Sequence, residues 1–302
     1  MTDYRRIDLH MHSTVSDGTD TPGELLARVR AAGMDVFSLT DHDAVKGALA
    51  IRQALRAGDP RFITGAEFSC RDGEGKYHIL GYGYDPDAEP IQALVALGHG
   101  YRMNKVKARL DFLRERFGFT FPEKDLAALW GMDNPGKPHI GNLMVKHGYA
   151  ETKEQAIREY INQVRFPTEY VRPEEAIRGI QAGGGIPVLA HPSYGDGDQL
   201  ILGEEMDARI RRLMAFGLAG LEGFYSGFTG KIRAEILAFA ERYGLYVTAG
   251  SDYHGGNKLI ALGDTGLEDA QAGPAGLRRF LQDVRTEGPG APVQLQGKEE
   301  GP

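Results

Sequence analysis

A single cysteine, Cys70, stands in a chain of 302 residues, which excludes an intramolecular disulfide framework. The chain has no run of 18 apolar residues and no positively charged stretch leading into an apolar one, so neither a membrane span nor a secretory leader is expected. Basic residues are also in short supply: 35 Lys and Arg face 42 Asp and Glu, a net charge of −7 with a pI of about 5.8. Capture of long nucleic acid needs a basic footprint. A cytoplasmic protein acting on a small or short substrate is therefore expected, with no long nucleic acid and no membrane as partner. Nothing in the composition sets the oligomeric state.

What the chain does have is an ordinary apolar share of 41% with 41 glycines, enough for a sizeable α/β core. Near its start, "IDLHMH" alternates Ile7, Leu9 and Met11 with Asp8, His10 and His12. That period-2 pattern predicts a strand with both imidazoles on one face. An isolated pair of this kind is commonly structural, so the rest of the chain has to decide. "TDTPGELLARVRAAGMD" predicts a helix capped by Thr21, with Pro22 in its first turn and Glu24 closing a capping box. Its apolar face is Leu25, Leu26, Val29 and Ala32, and Gly33 ends it. "DVFSLTDHD" is a second strand, and "RFITGAEFS" and "KYHILGYGY" are two more, joined by the turn-rich "CRDGEGK". After Asp85-Pro86 the pattern turns helical, and strands return at "GIPVLAHP", "GLAGLEGFY" and "GLYVTAGSDYH", each after a helix. Seven strands in strand–helix series predict a parallel sheet or barrel, with its chemistry at the C-terminal strand ends.

Metal-capable side chains fall at or near those ends: His10, His12, His42, Glu67, His78, His191, Asp252 and His254, with Asp17 in the loop after the first strand. Six of the nine histidines lie there, and only His99, His139 and His147 fall in the helical stretch. Scattered structural histidines would not gather so, and the set is read as a metal site. A catalytic site of the zinc type uses about three protein ligands and keeps a position open. Nine candidates are too many for one ion and generous for two; three ions fit if Glu67 bridges a pair. Imidazole and carboxylate without thiolate suit zinc, manganese or iron, and Cys70 is expected to be a small buried side chain. Clustered divalent ions point to phosphate ester hydrolysis, with amide or lactone hydrolysis as the competing chemistry.

"DLHMHSTVSDG", "LTDHD", "GAEFS", "YHILGYG", "VLAHP" and "AGSDYH", in this order, resemble the PHP family, named for polymerase and histidinol phosphatase. The resemblance covers roughly residues 5–265. It implies an α/β fold, a distorted seven-stranded (β/α) barrel of PHP type with a helical insertion domain. Residues 1–86 and 170–286 would form the barrel, 87–169 the insertion or lid, and 287–302 a disordered tail. The family pattern implies about three divalent ions: one on His10, His12, Glu67 and Asp252, a second on Glu67, His78 and His191, a third on Asp17, His42 and His254. Each ligand position of that pattern is filled.

The insertion, with "GKPHIGNLMVKHGY", resembles the stand-alone branch that acts on small phosphorylated substrates, among them nucleoside 3′,5′-bisphosphates and short oligonucleotides. That branch reads Arg-Pro-His where this chain has Lys137-Pro138-His139; lysine keeps the charge but loses the bidentate fork. Lys137 and His139 are the expected catalytic helpers, His139 as phosphate contact or proton donor to the leaving oxygen. Between Gly98 and Arg116, six basic residues, Arg102 among them, face two acids. A solvated helix face is the default reading, and a hold on a second phosphate is the functional one, with Arg102, Lys137 and His139 as substrate contacts. The expected activity is a phosphomonoesterase using a metal-bridging hydroxide, with 5′-3′ trimming of short oligonucleotides as a related possibility. Histidinol phosphatase is the nearest rival, and a regulatory module that binds metals without catalysis is the rival from another class.

Overall fold

Strands β1 (Ile7–Asp8), β2 (Val36–Leu39), β3 (Arg61–Asp72), β4 (Gly75–Tyr82), β5 (Ile186–Leu189), β6 (Gly220–Tyr225) and β7 (Tyr246–Gly250) lie in chain order in one sheet. The computed structural model describes residues 4–164, 170–196, 199–268 and 273–287. The sheet closes on itself nearly completely: the Leu9 amide donates to the Ala249 carbonyl at 2.9 Å, and the Asp252 amide to the His10 carbonyl at 2.8 Å. β1 is shorter than its alternation predicts, because beyond Asp8 the chain pairs through separate backbone hydrogen bonds and the isolated bridge between Met11 and Tyr253, not a continuous ladder.

Helices α1 (Pro22–Ala31), α2 (Lys46–Ala54), α3 (Glu89–Phe117), α4 (Glu123–Trp130), α5 (Lys137–Lys146), α6 (Lys153–Gln155), α7 (Pro173–Ala182), α8 (Gly203–Phe216), α9 (Gly230–Arg242) and α10 (Ala275–Asp283) complete the order. α1 starts as its sequence predicts: Thr21 and Glu24 exchange side-chain and backbone hydrogen bonds in a capping box, and Leu25, Leu26 and Val29 are buried. No helix among the described residues is long and apolar enough to cross a membrane.

The expectation of parallel strands throughout fails at β4, which runs antiparallel to both β3 and β5. A parallel partner needs a crossover of a dozen residues or more, and only Gly73 and Glu74 separate β3 from β4. Most of "CRDGEGK" is thus strand, with Asp72 opposite Gly75. One consequence concerns the site. His78 reaches the same mouth as the other candidates from the first half of a reversed strand, not from a C-terminal end.

α3 is 29 residues long, about 44 Å at 1.5 Å per residue, and it spans two cores. Its first turns place Ile91 and Leu94 in the barrel core. Further on, Val106 and Leu113 join Leu129, Ile140, Met144, Ala156 and Ile161 in a small separate core. The helical stretch thus shares its first helix with the barrel. Glu287, placed in the tail by the sequence reading, donates its amide to the Phe62 carbonyl at 2.9 Å and pairs with Arg52, so the folded chain reaches at least that residue. The rest of the expected tail lies outside the described residues.

Candidate metal centre

The loops that carry the candidate ligands are held by buried carboxylates behind them. Asp8 on β1 accepts the Ser251 amide at 3.0 Å, its hydroxyl at 2.6 Å and the Gly263 amide at 2.8 Å. That fixes the loop leading to Asp252 and His254. Asp41 accepts the Ser13 amide and hydroxyl, both at 2.8 Å, and the Ser16 hydroxyl at 2.7 Å. Asp41 therefore does not face its neighbour His42; it acts through Ser16, whose oxygen lies 3.4 Å from His12 Nδ1. Two candidate ligands, His191 (φ 28°) and Asp252 (φ 61°), and Asp43 next to His42 (φ 49°), occupy left-handed backbone that non-glycine residues rarely adopt. Such strain gathers at functional sites when the surroundings hold it in place.

All nine candidates come together around Glu67, which is fully enclosed on β3. Glu67 Oε2 lies 3.3 Å from His10 Nε2, 3.2 Å from His12 Nε2 and 3.1 Å from His42 Nδ1. Glu67 Oε1 lies 2.8 Å from His78 Nδ1 and 3.2 Å from His191 Nε2. Asp252 Oδ1 adds 3.5 Å and 3.3 Å contacts to the Nε2 atoms of His10 and His12. To one side, Asp17 sits 3.2 Å from His254 and 3.9 Å from His42. Among the described residues, three clusters of ligand atoms are compact enough to hold an ion: His12, Asp17, His42 and His254; His10, His12 and Glu67; and His42, Glu67 and His78.

The donor set fits cations. His10 Nε2, His12 Nε2, Asp17 Oδ1 and His42 Nδ1 are buried without a hydrogen-bond partner, an arrangement that costs energy unless something satisfies them. Charge points the same way. Burial works against ionised Glu67, yet His78, His42 and His10 hold it well below the usual carboxylate range. Asp17 and Asp252 are likewise held low against burial, Asp17 by His42 and His254, Asp252 by Lys258 and His10. Burial drives His42 well down and His78 to about 4, leaving neutral imidazoles of the kind metals bind. His10 and His12, the latter at about 9, move upward because nearby carboxylates outweigh burial. The shell demands positive charge, and divalent ions would displace those protons.

The helical insertion is pinned to this mouth on two sides. The Asn134 side-chain amide donates to the His42 carbonyl at 2.8 Å and the Asp43 carbonyl at 3.2 Å, while Lys153 donates to the Asn257 carbonyl at 2.8 Å. Arg102 binds Asp43 at 2.9 Å and the Ser69 hydroxyl at 3.2 Å. A Cβ on Gly98 would stand 2.8 Å from Asp43, so α3 meets the His42 loop through a glycine. Lys137 donates to Asn162 at 2.5 Å, and burial with nearby Arg109 and Lys76 pushes its ammonium down to about 8. His139 accepts the Gly136 amide on Nδ1 at 2.9 Å, so its neutral ring carries the proton on Nε2. Burial lowers its pKa, with Asp17 opposing and Arg102 adding.

The sequence reading passed over Glu222, Tyr225, Lys258 and Asn134. The Tyr225 hydroxyl donates to Asp252 Oδ2 at 3.0 Å, and Lys258 donates to the same oxygen at 2.5 Å. A carboxylate inside the apolar strand "GLEGFY" was the one available signal for Glu222; Tyr225 ends the same strand, and Asn134 and Lys258 sit in loops, Asn134 with its partner His42 92 residues away.

The PHP domain family model matches residues 8–166. A 3′,5′-nucleoside bisphosphate phosphatase of Chromobacterium violaceum is 31% identical over 260 residues, covering 82% of this chain and 87% of that protein. A 5′-3′ exoribonuclease of Haemophilus influenzae is 30% identical over 254 residues, covering 83% of this chain and 90% of its own. Among solved structures, a Bifidobacterium adolescentis protein described as a metal-dependent phosphoesterase superposes with a TM-score of 0.78 at 30% identity, covering 91% of this chain and 95% of that one.

Proposed function

This chain belongs to the PHP domain family, and we propose that it is a metal-dependent phosphatase of small nucleotides that prefers nucleoside 3′,5′-bisphosphates. The observation that carries the reading is the gathering of nine imidazole and carboxylate side chains, Glu67 with five histidines on its two oxygens among them, beside Arg102 of the insertion, which pairs with Asp43 next to His42. We assign about three divalent ions, on the ligand-count argument: His10, His12, Glu67 and Asp252 for one, Glu67, His78 and His191 for a second, Asp17, His42 and His254 for the third. Ions there would lower the pKa of a coordinated water and neutralise the attacking and leaving oxygens. Manganese, iron and zinc all suit the donors.

The chain's own residues would orient the ester. His139, with its Nε2 proton, donates to a phosphate oxygen or to the leaving oxygen. On α3, Arg102, Lys105 and Arg109 follow spacing i, i+3 and i+7, which aligns them on one helix face. The Lys105 ammonium is buried 3.4 Å from the centre of the Tyr170 ring. Burial pushes it down to about 7, Arg102, Arg109 and Lys76 adding to the effect and Asp43 opposing it. Arg102 is satisfied by Asp43 and Ser69, so in this reading it sets the field while Lys105 and Lys137 receive the second phosphate. A cytoplasmic setting, where free nucleotides occur, belongs to the same proposal. The relative named as a bisphosphate phosphatase supports this substrate; the exoribonuclease supports a short 5′-phosphorylated oligonucleotide as the second reading.

Each charge-assisted contact contributes about 1.5–3 kcal/mol, and about 1.4 kcal/mol is one decade. Adenosine 3′,5′-bisphosphate is therefore expected to exceed 5′-AMP and 3′-AMP by about tenfold or more in kcat/KM under one metal condition. Assays with manganese, iron or zinc, including histidinol phosphate and a short 5′-phosphorylated oligonucleotide, test it. A monophosphate equal to the bisphosphate removes the second-phosphate assignment, and histidinol phosphate in the lead removes the nucleotide. Full metal loading with no turnover on any ester would favour a binding module.

A further inference from the structure

β6 sends no candidate ligand to the mouth, yet Glu222 in its middle is 0% exposed and touches two of the ligands at once. Its Oε1 lies 2.9 Å from His10 Nδ1, and its Oε2 accepts the His191 backbone amide at 2.7 Å. The local backbone is shaped around it. The β6–β7 register slips between Glu222 and Phe224, a one-residue bulge at Gly223, the device by which strands re-aim a side chain. A Cβ on Gly250 would stand 2.6 Å from Glu222 Oε1 and 2.2 Å from His10 Cβ, so only glycine leaves room for the pair.

We propose that Glu222 is a positioning residue that braces His10 and His191 together, and so supports the two ions on either side of Glu67 but not the third. This rests on the metal assignment above. A carboxylate only accepts, so a neutral His10 must carry its proton on Nδ1 and present the Nε2 lone pair. That lone pair faces Glu67 Oε2 at 3.3 Å and Asp252 Oδ1 at 3.5 Å, an arrangement that invites a cation. On the other side, the Glu222–amide bond holds His191 in its left-handed backbone, φ 28°, and aims Nε2 at Glu67 Oε1, 3.2 Å away. One carboxylate thus sets the tautomer of one ligand and the backbone of another. Asp17, His42 and His254 take no hydrogen bond from it among those described.

Glu222→Gln separates the roles, because an amide offers one acceptor and one donor. With its oxygen on the His191 amide, its NH2 group faces His10 Nδ1 and drives the proton to Nε2, the ligating atom. With the amide flipped, two donors meet at His191. Either way, one contact is lost.

The test is a zinc titration of full-length wild type and E222Q against a chromophoric chelator, with circular dichroism as the check on folding. The expected result is about 10–100-fold weaker binding at one zinc equivalent, that of the ligand whose contact is lost, or at two where the ions share Glu67, and an unchanged third. A folded E222Q that binds all its zinc as wild type does, or that weakens every equivalent alike, overturns the proposal. Should wild type itself bind no zinc, the metal assignment falls and the brace with it. If E222Q does not fold, 15N NMR of zinc-loaded wild type decides: a proton on His10 Nδ1 is expected, and one on Nε2 overturns the assignment.

Discussion

The barrel mouth and the helical insertion bury charge in opposite ways. At the barrel mouth the buried groups are carboxylates and imidazoles, and those behind the ligands are saturated: Asp8 takes a serine hydroxyl and two loop amides, Asp41 two serine hydroxyls and one amide. On the insertion's face toward that mouth the buried or half-buried groups are cations. Arg102 has Asp43, but Lys105 lies against a tyrosine ring, and its charge is made costlier by Arg102, Arg109 and, from β4 of the barrel, Lys76. A lattice of fixed acceptors suits small cations that must sit at defined points. Crowded cations suit an anion that arrives and leaves.

The largest effect should come from breaking the barrel half of that comparison. Glu67→Ala removes the carboxylate on which both oxygens are engaged, so it should release more than one ion and reduce turnover to background. His254→Ala, whose ring contacts Asp17 at 3.2 Å, should release a single equivalent. Elemental analysis after dialysis reads both, and equal single-ion losses would refute the bridge.

The next effect belongs to the insertion. Lys137→Ala and His139→Ala should leave the metal content unchanged and lower turnover, for His139→Ala by about 10²-fold if it is the general acid. An acid matters most for poor leaving groups, so the loss should be large on a nucleotide and small on nitrophenyl phosphate. Equal losses on the two substrates would assign His139 to binding. Loss of metal in either variant would end the division of labour between the regions.

How much of this was legible in the sequence differs between the same two regions. Glu67 and His78 lie inside strands, but the ligands in "LHMHSTVSD", "LTDHD" and "GSDYH" stand where apolar alternation ends and a turn begins, which declares them locally. The reversal of β4 was also written there, since "CRDGEGK" is too short for a crossover, but the regular strand–helix rhythm hid it. Glu222 was hidden because its partners are 212 and 31 residues away, and a lone carboxylate in an apolar strand does not name them. In the insertion, composition announced positive charge without saying which cations are already satisfied. Only the fold shows that Arg102 is held by Asp43, 59 residues distant, while Lys105 is buried against Tyr170.

The smallest expected effect is a pH dependence that belongs to the insertion alone. Between pH 7 and 9 a phosphomonoester is already mostly a dianion, its second pKa being about 6, so the substrate's charge barely changes. Over that range Lys105, at about 7, and Lys137, at about 8, lose their protons. The ratio of kcat/KM for bisphosphate over monophosphate should therefore fall as pH rises, by up to about tenfold, because the groups acting on the cleaved phosphate cancel in the ratio. Lys105→Met should lower the ratio at pH 7 and leave only the step near 8. Stability provides an independent check with a defined sign. A lysine whose pKa is depressed on folding binds its proton more tightly in the unfolded chain, so between about 7 and its ordinary value of 10.5 stability rises with pH. Lys105→Met should make that slope shallower and leave the protein at least as stable at pH 7, since it removes a buried cation crowded by Arg102, Arg109 and Lys76. A variant that loses both stability and the bisphosphate preference would show Lys105 to be a packing residue and not the receiver of a second anion.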